Sequence, residues 1–152
     1  MTHKAIARVF QSALLIAVIA AALAAAYVCR ILSDREDAAR HDAIAFAHAH
    51  ASEIADAAAR HDYRKLTDIK QMRVTERPEK GVVDFLCEGI GLGPDGKYFG
   101  FYWSNHDTPE NIVYAGPLTA RGSGFCWESE NSSVCYYTER IEPHIFCYEY
   151  SS

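Results

Sequence analysis

The feature that most constrains this chain is a run of 21 residues without a charge, residues 9–29, close to the N-terminus. As an α-helix this run spans ~30 Å, which is the hydrocarbon thickness of a bilayer. The rest of the chain is the size of one domain, and such a domain cannot easily surround a helix that is apolar on every side. We therefore predict a transmembrane helix over residues 9–32, preceded by a short cytoplasmic tail, residues 1–8.

A cleaved signal peptide is the alternative interpretation of the same segment. Lys4 and Arg8 would form its basic region, and the small residues before Ala26 fit a cleavage site. The apolar run is longer than the ~7–15 residues usual in signal peptides, which favours an uncleaved anchor. Both alternatives export the remainder of the chain, either held in the cell membrane or secreted after cleavage near Ala26.

The charges beside the apolar run do not fix its orientation. Basic residues stand on both sides of it: Lys4 and Arg8 before, and Arg30, Arg35 and Arg40 after. Because paired cysteines are typical of exported domains, we take the orientation from the cysteines instead.

Four cysteines lie in the second half of the chain and predict two disulfides, with three pairings open: Cys87, Cys126, Cys135 and Cys147. A two-residue turn at Glu130-Asn131 would place Cys126 opposite Cys135. A loop centred on Ile141 would instead place Cys135 opposite Cys147, and each choice leaves one partner for Cys87. No two cysteines have the spacing of zinc ligands. We therefore expect an extracytoplasmic, disulfide-bonded domain without a metal.

The exported part divides into a helical segment, residues 33–80, and a β segment, residues 81–152. Asp34 is a plausible N-cap for an Ala-rich helix that runs to Arg60, and an apolar stripe recurs along it at helical spacing. A turn is expected at residues 93–96, and strands are predicted at 82–87, 98–103, 112–114, 124–128, 134–140 and 144–150. The prediction is an α+β fold with an antiparallel sheet of about four to six strands, one face of which the helix covers.

Charge and motifs exclude several functions. After Ser33, twelve lysines and arginines stand against twenty acids, a net charge of −8 that is a poor match for nucleic acid. The histidines His41, His48, His50 and His61 do not form a three-ligand set and are predicted to be solvated. No cofactor motif is present, and an enzyme would need converging acids such as Glu88 and Glu128.

Aromatic residues of the sheet are the candidates for an interaction surface. Tyr102, Trp103 and Trp127 carry flat rings that could stack on a ligand, although a small sheet also needs such rings for its core. Both faces of the strand at 98–103 carry rings, so one face is expected to stay exposed or to lie under a loop.

Three segments of the second half resemble a group of small, uncharacterised, membrane-anchored bacterial proteins. They are residues 85–94 (FLCEGIGLGP), 98–104 (YFGFYWS) and 136–141 (YYTERI). The likeness covers residues 81–150 and implies a location in the cell envelope without implying an activity.

These observations predict a single-pass membrane protein with an extracytoplasmic domain. Its expected role is non-enzymatic binding of a protein partner or an envelope component at the bilayer surface. The alternatives are a small membrane-anchored hydrolase and a sensor or regulatory subunit of a membrane complex.

Overall fold

The computed structural model describes residues 3–91, 96–130 and 133–151. Three helices come first in the chain, followed by a short 3-10 turn, Pro78–Lys80, that lies between the first two of seven strands. The helices are α1 (His3–Ala49), α2 (Ala51–Arg60) and α3 (Arg64–Ile69). The strands are β1 (Arg73–Arg77), β2 (Val82–Ile90), β3 (Lys97–Ser104), β4 (Thr119–Arg121), β5 (Gly124–Glu128), β6 (Cys135–Glu142) and β7 (Ile145–Ser151).

The seven strands form one antiparallel sheet in the order β1-β2-β3-β7-β6-β5-β4. The last strand along the chain, β7, pairs with β3 and so joins the two halves of the sheet. The fold is therefore α+β with an antiparallel sheet, as predicted, but with seven strands where about four to six were expected.

The chain divides into two compact units, Met1–Arg35 and Glu36–Ser152. The first unit is helical and includes the apolar run. By length and composition, α1 is the one helix among the described residues that is long and apolar enough to cross a membrane. The large apolar side chains from Leu14 to Leu32 are exposed, by 41% or more of their surface.

In the second unit, one side of the sheet is covered by helices and is called here the helix face. A stripe of alanines on α1 is buried there, ending at Ala47, and Ile54 of α2 continues it. Because alanine side chains are short, the helices lie close to the stacked rings of Phe85 and Phe101, whose centroids are 4.8 Å apart. The predicted Ala-rich helix is thus the cover of the sheet, although it is broken at His50 into α1 and α2.

The opposite side of the sheet, called here the loop face, is covered by the segment between β3 and β4. Ile112 of this segment is buried against Tyr102, Tyr136, Phe146 and Tyr148. Each face of the sheet therefore carries aromatic rings that are buried in a hydrophobic core. The sheet is a middle layer between helices and a loop, which explains why its strands are rich in aromatic residues on both sides.

A buried carboxyl group lies within the loop face. Asp84 is 5% exposed, accepts a 2.7 Å hydrogen bond from the Tyr148 hydroxyl, and lies 3.5 Å from the Arg77 guanidinium. Burial raises the pKa of the Asp84 carboxyl above its usual range, against the opposing effects of Tyr148 and Arg77. The folded protein therefore holds this proton more tightly than the unfolded chain does.

Several predicted boundaries are corrected by the structure. Residues 112–114 are not a strand, because Ile112 lies in the loop that covers the sheet rather than in the sheet itself. Asp34 does not cap a helix, since α1 runs through it. Strand β1 lies inside the segment predicted to be helical, and neither β1 nor β4 was foreseen. The predicted turn at residues 93–96 lies outside the described residues except for Gly96.

Replacing Gly100 with alanine is expected to destabilise the domain by about 1–3 kcal/mol, as overpacking in a core does. A Cβ at Gly100 would lie 2.4 Å from the Phe85 carbonyl oxygen and 2.7 Å from the Tyr148 hydroxyl. Gly89→Ala is the control, because its Cβ would meet only the edge of the Tyr98 ring at 3.1 Å. Urea unfolding measures both variants, and equal costs would contradict the close packing at Gly100.

Asp84→Asn is expected to gain stability relative to wild type as the pH rises. Because folding raises the pKa of Asp84, the wild type loses stability as the pH rises from about 4, the pKa of this group in the unfolded chain, through its pKa in the folded protein. The total loss is about 1.4 kcal/mol for each pH unit by which folding raises the pKa. Asp107→Asn is the control of opposite sign, because the His144 amide and the Arg140 guanidinium lower the pKa of Asp107. Urea unfolding over a pH series measures both differences, and a pH-independent Asp84→Asn difference would contradict the prediction.

Candidate functional site

Tyr102, one of the three aromatic residues predicted to form an interaction surface, is fully buried. Its ring stacks on Phe146 with the centroids 5.2 Å apart. Its hydroxyl lies 3.0 Å from the Thr138 hydroxyl and accepts a 2.8 Å hydrogen bond from the backbone amide of Glu110. Tyr102 therefore belongs to the core, the alternative weighed for these rings, and is not part of an exposed surface: the loop that covers the sheet is attached to this side chain.

Trp127 also lies on the loop face, where it is half-buried. Its indole stacks on the Tyr114 ring with a centroid separation of 4.6 Å. Gly116 passes over the indole so closely that a Cβ there would lie 2.4 Å from the Trp127 Nε1 atom. The ring of Trp127 therefore helps to hold the covering loop in place.

Trp103 lies on the helix face, apart from the other two predicted residues, and borders a groove of about 250 Å³. One side of the indole stacks on the His144 ring, with the centroids 6.0 Å apart. The groove, called here the Trp103 groove, lies between the end of α2 and the β1–β3 end of the sheet. It is lined by Ala58, Ala59, His61, Glu76, Pro78, Gly81, Val82, Val83, Trp103 and Asn105.

A hydrogen-bonded cluster of three polar side chains stands at one side of the Trp103 groove. Glu76 accepts hydrogen bonds from the Tyr63 hydroxyl, at 2.6 Å, and from the His61 Nδ1 atom, at 2.8 Å, both on its Oε1 atom. These two bonds lower the pKa of the Glu76 carboxyl, while burial and Glu76 raise that of Tyr63. Glu76 therefore remains an anion at the edge of an otherwise apolar groove.

The sequence did not single out Glu76 or Tyr63, and it placed His61 among solvated histidines. His61 is indeed largely exposed, at 71% of its side chain. The three residues meet because β1 runs beside the end of α2, and β1 was itself not foreseen. The available signal was the break in the helical segment at residues 61–63, between α2 and α3, where His61 adopts a left-handed backbone with φ of 54°.

A second, wider groove lies on the helix face near the β4 edge, with a volume of about 530 Å³, and is called here the thiol groove. Arg40 of α1 reaches into it, with its guanidinium 3.2 Å from Glu139, 3.9 Å from Glu149 and 5.6 Å from the centre of the Tyr137 ring. The lining residues are Arg40, Arg121, Ser123, Cys126, Glu128, Cys135, Tyr136, Tyr137, Glu139 and Glu149.

None of the five cysteines, all of which lie among the described residues, is in a disulfide. The predicted pairings assumed the wrong strand registers. Cys126 lies opposite Tyr137, and Cys135 lies opposite Glu128, so these two cysteines are offset by two residue pairs. Cys147 lies opposite Glu139, far along β6 from Cys135. The cause is a six-residue connection at 129–134 where a two-residue turn was assumed; part of that turn, Asn131, lies outside the described residues.

The acids that an enzyme was expected to bring together do not converge. Glu88 lies on β2 and Glu128 on β5, four strand spacings apart, or ~19 Å across the sheet. The described residues also contain no group of three or more histidine, cysteine or acidic side chains placed to hold a metal ion. The grooves offer charged and aromatic contacts for binding.

Comparison with known proteins adds no relative to this description. No protein-family model, no curated protein and no solved structure matches this chain.

Proposed function

We propose that this chain is a single-pass membrane protein whose α+β domain is a non-enzymatic binding module outside the cytoplasm. The observation that carries the proposal is the exposure of every large apolar side chain of α1 between Leu14 and Leu32. Soluble proteins rarely leave so large an apolar surface in water, because each Å² costs roughly 25 cal/mol. A lipid bilayer removes the cost of exposing apolar surface to water on every side of the helix.

The length of the exposed segment supports a span across the bilayer. From Leu14 to Leu32 the helix covers ~28 Å at 1.5 Å per residue, close to the hydrocarbon thickness. The mean hydropathy of its most apolar window is 2.4. A helix that lay flat on the membrane would need a polar face, and this segment has none.

The outward orientation is the part of the proposal that rests on the cysteines. Four cysteines in a domain of this size are the composition of exported, disulfide-bonded proteins, although the thiols are free in the structure described here; the flanking arginines and lysines are balanced between the two sides. The same orientation follows if the segment is a signal peptide cleaved near Ala26, in which case the domain is released.

The Trp103 groove supports binding of a protein partner through a cationic side chain. An ionised carboxylate, Glu76, lines the same groove as the Trp103 indole, two strands away across Val83, and lysine or arginine side chains are attracted both to carboxylates and to indole faces. The volume of about 250 Å³ fits one such side chain. The folded unit carries eleven basic and nineteen acidic residues, so its net charge of −8 also attracts a basic partner.

The two alternatives, a small hydrolase and a sensor subunit of a membrane complex, stay predictions. A hydrolase would use the His61–Glu76 pair as a base, and Glu76→Gln would abolish its turnover. A sensor subunit would co-purify with a membrane protein in detergent.

The anchor is tested with a tagged full chain in bacterial cells. We expect the wild type in the membrane pellet after alkaline extraction, and we expect Ile19→Arg with Leu23→Arg to leave the membrane, since each charge costs about 2.5–3.5 kcal/mol at a helix centre. Ile69→Arg is the matched control, because Ile69 is an exposed apolar residue of α3 outside the apolar run. Wild type in the soluble fraction would overturn the anchor.

Two further readouts separate the parts of this proposal. An intact mass that includes the N-terminal residues indicates an anchor, whereas loss of residues up to about Ala26 indicates a cleaved signal peptide. Alkaline phosphatase fused after Ser152 is expected to be active, because that enzyme folds only outside the cytoplasm. An inactive fusion would overturn the outward orientation and leave the anchor unaffected.

Cation binding in the Trp103 groove is tested by fluorescence in a Trp127→Phe background, in which Trp103 is the only remaining tryptophan. We expect Gly-Lys-Gly to shift the Trp103 emission and Gly-norleucine-Gly to leave it unchanged. Glu76→Gln is expected to weaken lysine binding about tenfold or more, since hydrogen bonds to charged groups contribute about 1.5–3 kcal/mol.

The control for that variant is Glu79→Gln, which removes an exposed acid three residues away that does not line the groove. Equal binding by the Glu76 and Glu79 variants, or equal binding of the lysine and norleucine peptides, would overturn the cationic ligand.

A further inference from the structure

The four cysteines of the folded domain all point to the helix face, but they fall into two pairs with different surroundings. Cys87 and Cys147 are covered by the helices and the neighbouring strands, and their thiols donate to the backbone carbonyls of Phe85 and Glu139. Burial raises the pKa of Cys87 to about 12 and that of Cys147 to about 11. These two thiols therefore stay protonated and unreactive at neutral pH.

The other pair, Cys126 and Cys135, lines the thiol groove. Cys135 is exposed, with its Sγ atom 3.4 Å from the Ser151 hydroxyl. Cys126 is buried, with its Sγ atom 3.4 Å from the Thr119 hydroxyl, and Arg121, which is paired with Glu128, lies near it.

The two thiols are also neighbours across one strand pair. Cys126 faces Tyr137 and Cys135 faces Glu128, so they occupy diagonal positions on the same face of β5 and β6. Diagonal Cβ atoms in an antiparallel pair are somewhat less than ~7–8 Å apart, and a disulfide needs ~3.8 Å. A shift of a few Å between β5 and β6 thus brings them into bonding distance. Only the three-residue strand β4 holds β5 from its other side.

We propose that Cys126 and Cys135 are a redox-active thiol pair that exchanges with low-molecular-weight disulfides. The exposed Cys135 thiolate attacks one sulfur of the external disulfide, forms a mixed disulfide and releases one external thiolate. The Cys126 thiolate then attacks the Cys135 sulfur, closes the Cys126–Cys135 bond and expels the second external thiolate. The two protons of the cysteines end on the two released thiols, so two protein thiols are oxidised and one external disulfide is reduced.

This pair differs from a structural disulfide in its ease of reduction. Because the reduced form has the register seen here, closing the bond distorts the β5–β6 pair, and distorted disulfides are more readily reduced. We therefore expect the bond to open and close in millimolar glutathione buffers. The proposal does not depend on membrane insertion or on the Trp103 groove, so it stands or fails separately from the proposed function.

The test uses the full chain in detergent, carrying Cys29→Ser to remove the exposed thiol of the first unit. After incubation with oxidised glutathione, peptide mapping under non-reducing conditions is expected to show one linked pair, Cys126–Cys135, with Cys87 and Cys147 free. Cys126→Ala is expected to stop the reaction at the mixed disulfide between Cys135 and glutathione. Cys135→Ala is expected to form neither product at a comparable rate.

Two measurements separate the proposed chemistry from unfolding. Alkylation of the native chain by iodoacetamide is expected to modify Cys135 at least tenfold faster than Cys87 and Cys147, and in urea all four are expected to react alike.

A linked pair other than Cys126–Cys135, or oxidation that begins only where urea unfolds the domain, would overturn the proposal. Equal alkylation of all four thiols in the native chain would overturn it as well.

Discussion

The burial of aromatic rings on both faces of one antiparallel sheet is the constraint on which the rest of the folded unit depends. Antiparallel sheets commonly leave one face in water, but here the stacked rings of Phe85 and Phe101 fill one face while those of Tyr102 and Phe146 fill the other. Each face needs its own cover. The alanine stripe of α1 with α2 supplies one, and the loop that carries Ile112 supplies the other.

A loop that serves as a layer must satisfy its own backbone, because buried amide and carbonyl groups without partners are costly. The tyrosines of the loop face meet this need. Tyr102 accepts from the amide of Glu110, and Tyr136 donates to the carbonyl of the same residue at 2.8 Å. Tyr114 in turn donates to the Ser151 carbonyl at 2.6 Å. The rings that looked like a ligand platform therefore act as the attachment points of a covering segment.

The sequence predicted the fold class because its signals were local. The alternation of aromatic residues gave most of the strands, and the recurrence of alanine at helical spacing gave the helical cover. Strands β1 and β4 were not foreseen, because Arg73–Arg77 and Thr119–Arg121 are mostly polar and lie at the sheet edges, where burial imposes little pattern. The disulfide pairings failed for a related reason: register depends on the length of the β5–β6 connection, and residue types do not fix that length.

The site residues needed contacts between distant parts of the chain and could not be found by spacing. His61 and Glu76 are 15 positions apart and meet only because β1 lies beside the end of α2. The nearness of Arg121 to Cys126 likewise follows from the short β4–β5 pair. Trp103, a candidate for the interaction surface, borders a groove, whereas Tyr102, its neighbour in sequence, points to the opposite face because side chains alternate along a strand.

The outermost strands of the sheet have a consequence for how copies of this protein coexist at high concentration. A sheet edge invites another chain to add to it, which leads to aggregation. Here one edge is a strand of only three residues, all exposed, and the other carries Arg73, Glu76 and Arg77 among its five. The short length of β4 at one edge and the charged side chains of β1 at the other edge discourage the addition of another strand. Neighbouring molecules can therefore be concentrated without joining their sheets into fibres.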